Sequence, residues 1–395
     1  MENFRACDVP FPELQLQICY LRSYPAHVIE LVIRARHLPL HNIRHLHIRY
    51  NRFPGSQLPS SMNNFARKFV FNAPSTTTSR LLVKRTVQRN LHLPHSTTMT
   101  TATFKYIDPA SYEGKGKPWG KVDGPGKSFT LKDYQRNVTS LRGIESQFST
   151  ENSGFAVYNH PAQEKLFTDE SAIRNKYYAE VENMIKERLP GKVKKVVIFD
   201  HTIRRRDKNA PRQPVQQVHV DQTPGAAAAR VRRHLPAEEA EELLKGRYAI
   251  INVWRPIENP ATDFPLAVID WRSTAREDFI PVDLMYPTRT DNDDDDRGKE
   301  KLPDEKTLWS NEGYEPKGET FAVAPSEKHN FYYMKDMTPD EVMLLKCFDS
   351  AGEGESLGQK GLAVRTPHTA FVDPLTPESA PGRQSIEVRC LVFYE

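Results

Sequence analysis

Apolar positions along this chain alternate in short bursts, and only a few segments carry the wider spacing of a helix. The clearest helix is "EKLFTDESAIRNKYYAEVENMIKERLPG", where Ile173, Tyr177, Val181 and Ile185 fall at four-residue steps and Gly191 supplies a stop. Two shorter helices are predicted over Ala226–Leu235 and "PAEEAEELLKG", with Pro236 at the start of the second and Gly246 after it. The other apolar runs read as strands: "TATFKYIDP", Phe155–Tyr158, "KKVVIFDHTIRRR", "RYAIINVWRPI", "FPLAVIDW", "FIPVDLMYP", "FAVAPS", "HNFYYMKD", "EVMLLKCFDS", "HTAFVDP" and "SIEVRCLVFYE". Between the first two, "NVTSLRGIESQFSTENSG" is expected to be loop. Many short strands after two or three helices predict a mainly β fold, an antiparallel barrel or sandwich with helices packed outside. No internal repeat is present.

Charge divides the chain at residue 98. Residues 1–98 hold 13 Lys/Arg against 4 Asp/Glu and 7 of the 13 histidines, whereas the remainder has 42 against 47. The first part is expected to be a basic, poorly ordered or non-native extension, and Met99 the start of one domain running to 395. "TRTDNDDDDRGKEKLPDEKT", near 288–307, is expected to be an acidic, solvated insertion in that domain. No clustered basic face suggests nucleic acid as a partner. No run approaches the apolar length of a membrane span. Four cysteines without pairing or ligand spacing suggest a reducing compartment. A cytoplasmic location is therefore expected, with mitochondrial import the alternative if residues 1–98 act as a presequence.

The candidate chemistry starts at "QVHVDQTP". On a strand, residues i and i+2 share a face, so His219 and Asp221 would point to the same side. His368 in "RTPHTAFVDP" is the best third member of a two-histidine, one-carboxylate set, the facial arrangement of non-haem iron oxygenases. An H-x-D triplet is equally the polar end of an ordinary strand, and thirteen histidines offer many third members. In "PGRQSIEVRCLVFY", Arg383 follows His368 by fifteen residues and Ser385 shares its face. A guanidinium fork with a hydroxyl suits the distal carboxylate of a dicarboxylate. Arg389, on the same face under strict alternation, is a second anion contact, a substrate contact or a surface arginine. Asn252 and Trp254 alternate onto one face and could line the pocket, the amide orienting co-substrate or substrate, with Arg255 turned away. Core packing is the plain alternative for Trp254. Tyr286, Tyr332 and Tyr333 are cavity-closing residues or ordinary core. Arg204–Arg206 would attract an anionic substrate or simply form a solvated charge run, and His201 is a weak substitute ligand.

The order H-x-D, distal His, then R-x-S on a terminal strand resembles the Fe(II)/2-oxoglutarate-dependent oxygenase superfamily. More closely, "HVDQTP", "NVWRPI", "VDLMYP", "HNFYYMKDMTPDEVMLLKCFDS", "PHTAFVDP" and "RQSIEVRCLVFY" resemble the fungal hydroxylase/desaturase family, related to gibberellin 4-desaturase and cephem-methoxylase small-subunit proteins. The resemblance covers about residues 101 to 395. It implies a double-stranded β-helix core of jelly-roll, cupin-like form. It places Fe(II) on His219, Asp221 and His368, the catalytic set, and 2-oxoglutarate on Arg383 with Ser385 assisting. It implies O2 and a small-molecule secondary-metabolite intermediate as co-substrates, with succinate and CO2 released. The 147-position gap from Asp221 to His368 exceeds the superfamily's usual spacing and requires insertions within the barrel. Two other readings stand beside this one: a metal-dependent hydrolase, which leaves Arg383 and Ser385 without a task, and a catalytically silent assembly partner.

Overall fold

The structure is a computed structural model that describes residues 98–122, 124–206, 213–288 and 305–395, together with the backbone of four earlier strands. The chain divides into two compact units, Met1–Arg89 and Asn90–Glu395. In the first, β1 (Ala6–Phe11), β2 (Leu14–Arg22), β3 (Val28–Arg36) and β4 (Leu46–Asn51) form an antiparallel sheet in sequential order.

The second unit is built on two sheets. The larger comprises β5 (Met99–Ile107), β6 (Trp119–Lys121), β7 (Leu131–Ser140), β10 (His219–Val220), β12 (Leu266–Ile269), β13 (Phe279–Pro287), β14 (Tyr314–Val323), β15 (Phe331–Tyr333) and β17 (His368–Ala370). Its strand order is β5-β7-β15-β12-β17-β10-β14-β13-β6. The smaller sheet holds β8 (Phe155–Asn159), β9 (Val193–Arg205), β11 (Tyr248–Pro256), β16 (Glu341–Asp349) and β18 (Gln384–Tyr394), in the order β8-β16-β11-β18-β9. The smaller sheet is antiparallel throughout, and the larger departs from that pattern only where β13 meets β6 and β15 meets β7. The whole is a mixed fold dominated by a curled, half-barrel β-sheet of double-stranded β-helix type with flanking helices.

The helices fall where the apolar spacing put them. α1 (Glu170–Ala172) is capped by the Asp169 carboxylate and runs through a π-turn at Ile173–Tyr177 into α2 (Tyr178–Arg188). Within α2, Val181, Met184 and Ile185 stand at i, i+3 and i+4 and form the buried face. That face packs on the outer side of the smaller sheet, against Ala249, Ile251, Val253, Val388, Cys390 and Val392. Burying each of the valines and Ile251 contributes about 1.5–3 kcal/mol. α3 (Pro224–His234) starts at Thr223, whose hydroxyl accepts from the Ala226 amide, and α4 (Ala237–Leu243) follows it.

β11 is buried along its whole length, and its alternation is what builds the site. Odd-numbered residues meet the helix, while Ile250, Asn252 and Trp254 face the other way. Arg255 is turned outward as expected, its guanidinium stacked 5.4 Å from the Tyr177 ring.

One sequence expectation is corrected. The stretch expected as loop from Asn137 begins inside β7, a ten-residue strand paired to β5 along its length. The signal was hidden because its inward positions read Tyr134, Arg136, Val138 and Ser140, half of them polar. The acidic insertion near 288–307 lies, over residues 289–304, outside the described residues.

Candidate metal centre

β10 and β17 are neighbours, and a single register pair joins them: His219 opposite His368. Their rings lie 4.5 Å apart between centroids. Asp221 follows β10 directly, its Oδ1 3.4 Å from His219 Nε2 and 3.9 Å from His368 Nε2. One ligand atom from each of the three side chains lies within 4.8 Å of the others.

Each ring is held in the tautomer a metal needs. His219 Nδ1 donates to the Gln217 carbonyl at 2.7 Å, and His368 Nδ1 donates to the Thr366 carbonyl at 3.0 Å. A carbonyl only accepts, so Nδ1 carries a proton in each ring and both Nε2 atoms are left facing Asp221. Burial, aided by the neighbouring His219, pushes the His368 pKa below its ordinary value. Burial alone would raise Asp221, but the His219 hydrogen bond and the charges of Arg389 and His368 hold its carboxyl well below the usual range. The result is two imidazoles presenting Nε2 and one carboxylate on one face, a donor set that fits a divalent ion with open coordination positions.

Gly154 supports His368 from far away in sequence. Its φ of +88° is one that side chains rarely adopt, and a Cβ there would lie 2.4 Å from Thr366 Oγ1. Thr366 is the residue whose carbonyl orients His368.

The three ligands line a small cavity of about 40 Å³ with Thr202, Arg204, Trp254, Arg383, Ser385 and Glu387 among its other walls. Arg383 is 3% exposed and donates from Nη1 to the Phe264 carbonyl at 2.7 Å. Its guanidinium lies 5.6 Å from the Trp254 ring, and its buried Nε has no partner within the protein. Burial, with Arg204 adding to it, pushes the Arg383 pKa down to about 9. A desolvated cation with an unmatched donor is a site prepared for an anion. The residues present therefore fit both a divalent metal and a carboxylate ligand.

Asn252 and Arg389, expected beside the co-substrate, meet Asp221. Asn252 Nδ2 donates to Asp221 Oδ2 at 2.7 Å, and Arg389 Nε lies 3.6 Å from the same oxygen. His201 bonds Tyr178 and faces Glu170, away from the triad. Tyr333 donates to Asp373 inside the core, Tyr332 packs on Phe148, and neither they nor Tyr286 line the triad cavity. Of the basic run, Arg204 lines the cavity, Arg205 bonds Gln384, and Arg206 pairs with Asp263. Sequence reasoning passed over Glu387, although alternation from Arg383 through Ser385 to Arg389 places it on the same wall.

A two-histidine, one-aspartate triad on a jelly-roll sheet, with a buried arginine across the cavity, is the arrangement of the non-haem Fe(II)/2-oxoglutarate oxygenases. A family model described as "Oxidoreductase/YMDC permease-like domain" matches residues 104–393. Hydroxylase/desaturase CTB9 of Cercospora beticola is 34% identical over 315 residues, covering 74% of this chain and 86% of its own. Hydroxylase/desaturase efuI of Hormonema carpetanum is 32% identical over 276 residues, covering 65% and 83%. Among solved structures, the iron and alpha-ketoglutarate-dependent endoperoxidase NvfI, whose sequence comes from Aspergillus novofumigatus, superposes with a TM-score of 0.59 at 27% identity, over 75% of this chain and 98% of that one. The chain belongs to this oxidoreductase family and, within it, to the fungal Fe(II)/2-oxoglutarate-dependent hydroxylase/desaturase/dioxygenase group. Among the described residues no helix is long and apolar enough to cross a membrane.

Proposed function

We propose that this oxygenase hydroxylates or desaturates a carboxylate-bearing small molecule of secondary metabolism, binding Fe(II) through His219, Asp221 and His368 and 2-oxoglutarate through Arg383 and Ser385. One observation carries the reading: the buried Arg383 guanidinium, its Nε without a partner within the protein, shares a cavity with the triad. Fe(II) supplies oxygen activation there, coupled to decarboxylation of 2-oxoglutarate to succinate and CO2. Hydroxylation adds one oxygen atom of O2 to the substrate; in desaturation two hydrogens leave and end in water.

The chain's own groups do the rest. The carbonyls of Gln217 and Thr366 keep both imidazoles oriented, and the Asp221 carboxylate supplies the negative ligand. Arg383 forms the charge-assisted contact to the distal carboxylate of the co-substrate, with the Ser385 hydroxyl beside it. Trp254, Leu266 and Ala370 line the cavity with apolar surface and limit water. Arg204, in register with Ser385, brings a second guanidinium to the wall, which supports an anionic substrate. Kinship with gibberellin desaturases and cephem methoxylases is part of the proposal, supported by the "HVDQTP" and "RQSIEVRCLVFY" blocks. So is assignment of the whole activity to residues 99–395.

The test is anaerobic titration of the protein with Fe(II) and 2-oxoglutarate, following the weak visible charge-transfer band of the chelate. The band is expected, with its loss in His219→Ala and Arg383→Ala. Metal binding without the band would favour a hydrolase, and absence of metal binding would favour a silent partner.

A further inference from the structure

We infer that Asn252 and Arg389 are positioning residues that hold Asp221 to a single metal-facing oxygen, an assignment that rests on the reading of the triad as a metal site. A carboxylate beside a divalent ion can offer one oxygen or two, and can rotate between these modes. Here the choice is constrained from behind. Asn252 Nδ2 takes Asp221 Oδ2 at 2.7 Å, and Arg389 Nε faces the same oxygen at 3.6 Å. Oδ1 is the oxygen directed at the two Nε2 atoms.

The clamp is itself fixed. Arg389 Nη1 donates to Asp200 at 2.7 Å, and Nη2 lies 3.2 Å from Glu387. Burial works against the Arg389 charge, yet Asp200, Glu387 and Asp221 together hold its pKa above the ordinary guanidinium value. Asn252 and Arg389 are register partners on β11 and β18, in the interior of the smaller sheet. Asp221 follows a two-residue strand of the larger sheet, so its own backbone gives it little support. Two central strands thus position a ligand carried by the other sheet.

The amide's other end shows how firmly this orientation is set. Asn252 Oδ1 is buried and has no hydrogen-bond partner within the protein. Leaving such an acceptor unmet is unfavourable. The residue keeps its NH2 on Asp221 despite that cost, and a one-oxygen aspartate leaves more coordination positions for small ligands.

The experiment titrates the full-length, metal-free protein with Co(II), a redox-stable probe whose visible bands report the ligand set. Asn252→Ala and Arg389→Lys are expected to weaken Co(II) binding roughly 10- to 100-fold and to shift the visible bands as Asp221 reorients. Wild-type affinity in Asn252→Ala, or weaker binding with unchanged bands, overturns the proposal, the latter by assigning the residue a general structural role. If Arg389→Lys fails to fold, Asn252→Ala decides alone, with its metal-free melting point as the check on folding. His219→Ala separates the two levels: it must abolish binding, and if it binds Co(II) like wild type, the triad reading fails and this inference with it.

Discussion

Replacing Arg383 with methionine separates what this residue does for the fold from what it does for the co-substrate. Methionine keeps an unbranched stem against Trp254 and removes the charge. In the ligand-free protein the guanidinium is buried, is pushed down to about 9 by burial and Arg204, and leaves Nε unmatched. At about 1.36 kcal/mol per pK unit, holding that cation costs on the order of 5 kcal/mol. The lost bond to the Phe264 carbonyl offsets about 1.5–3 kcal/mol of this. Arg383→Met is therefore expected to melt at or above the wild-type temperature without ligand. With 2-oxoglutarate the order changes. Saturating ligand at 100 times Kd stabilises wild type by about 2.7 kcal/mol, and this gain should vanish in the variant. Loss of a buried charge-assisted contact costs about 2–5 kcal/mol, so KM for 2-oxoglutarate should rise at least about 30-fold. Differential scanning fluorimetry with and without 2-oxoglutarate, under anaerobic Fe(II), reads both effects. A variant still protected by 2-oxoglutarate would refute the role of Arg383. A variant that melts far below wild type without ligand would refute the view of this guanidinium as a strained, waiting group.

The remaining predictions concern the ligands and the fold beneath them. Asp349 is fully buried between Lys346 at 2.7 Å and Arg247 at 2.7 Å, so Asp349→Ala should cost about 3–5 kcal/mol in urea unfolding by stranding two cations; a change under 1 kcal/mol would argue against the network. Burial raises the Asp349 carboxyl, but Arg247 and Lys346 override it and leave the folded pKa below the ordinary value of 3.8. Its stabilisation is therefore present above about pH 4 and is lost as the pH falls through the lower folded value, and Asp349→Asn should flatten the acid limb of a melting-temperature profile. Gly154→Ala, which drives a Cβ into Thr366, should weaken metal binding by disturbing the carbonyl that orients His368; unchanged Co(II) affinity would count against that linkage. Protein beginning at Met99 should retain succinate production, and a silent truncated protein would assign residues 1–98 a necessary role.

Much of the site was legible because strand periodicity is strict. The i, i+2 rule put His219 and Asp221 on one side, Arg383 and Ser385 on one wall, and Arg255 away from Asn252 and Trp254. The same rule contained Glu387, which was overlooked because a single glutamate between two arginines reads as surface charge. Which group each arginine or amide would meet was hidden. Arg389 and Arg383 share a strand face, yet one lies behind Asp221 and the other lines the cavity, and only the pairing of distant strands decides that. β7 was lost for a different reason: its inward face carries Arg136 and Ser140, so apolar alternation disappears along it. The helices were easier, since their stripes pack against one continuous sheet face.

The narrowest part of the larger sheet is also where the metal ligands sit. β10 is two residues long, β17 three, and the one register pair between them is His219 with His368. On one side lie β5, β7, β15 and β12; on the other, β14, β13 and β6, with the isolated bridge of Lys105 to Gln217 a further tie. Since β17 arrives 147 residues after Asp221, the pairing of β17 with β10 and β12 waits until late in synthesis. An ion held by both strands then acts as a rivet across a seam with little backbone pairing of its own. Metal loading becomes a mechanical event as well as a chemical one: amide hydrogens along β12, β17, β10 and β14 should exchange faster in the empty protein and slow together when the rivet is set.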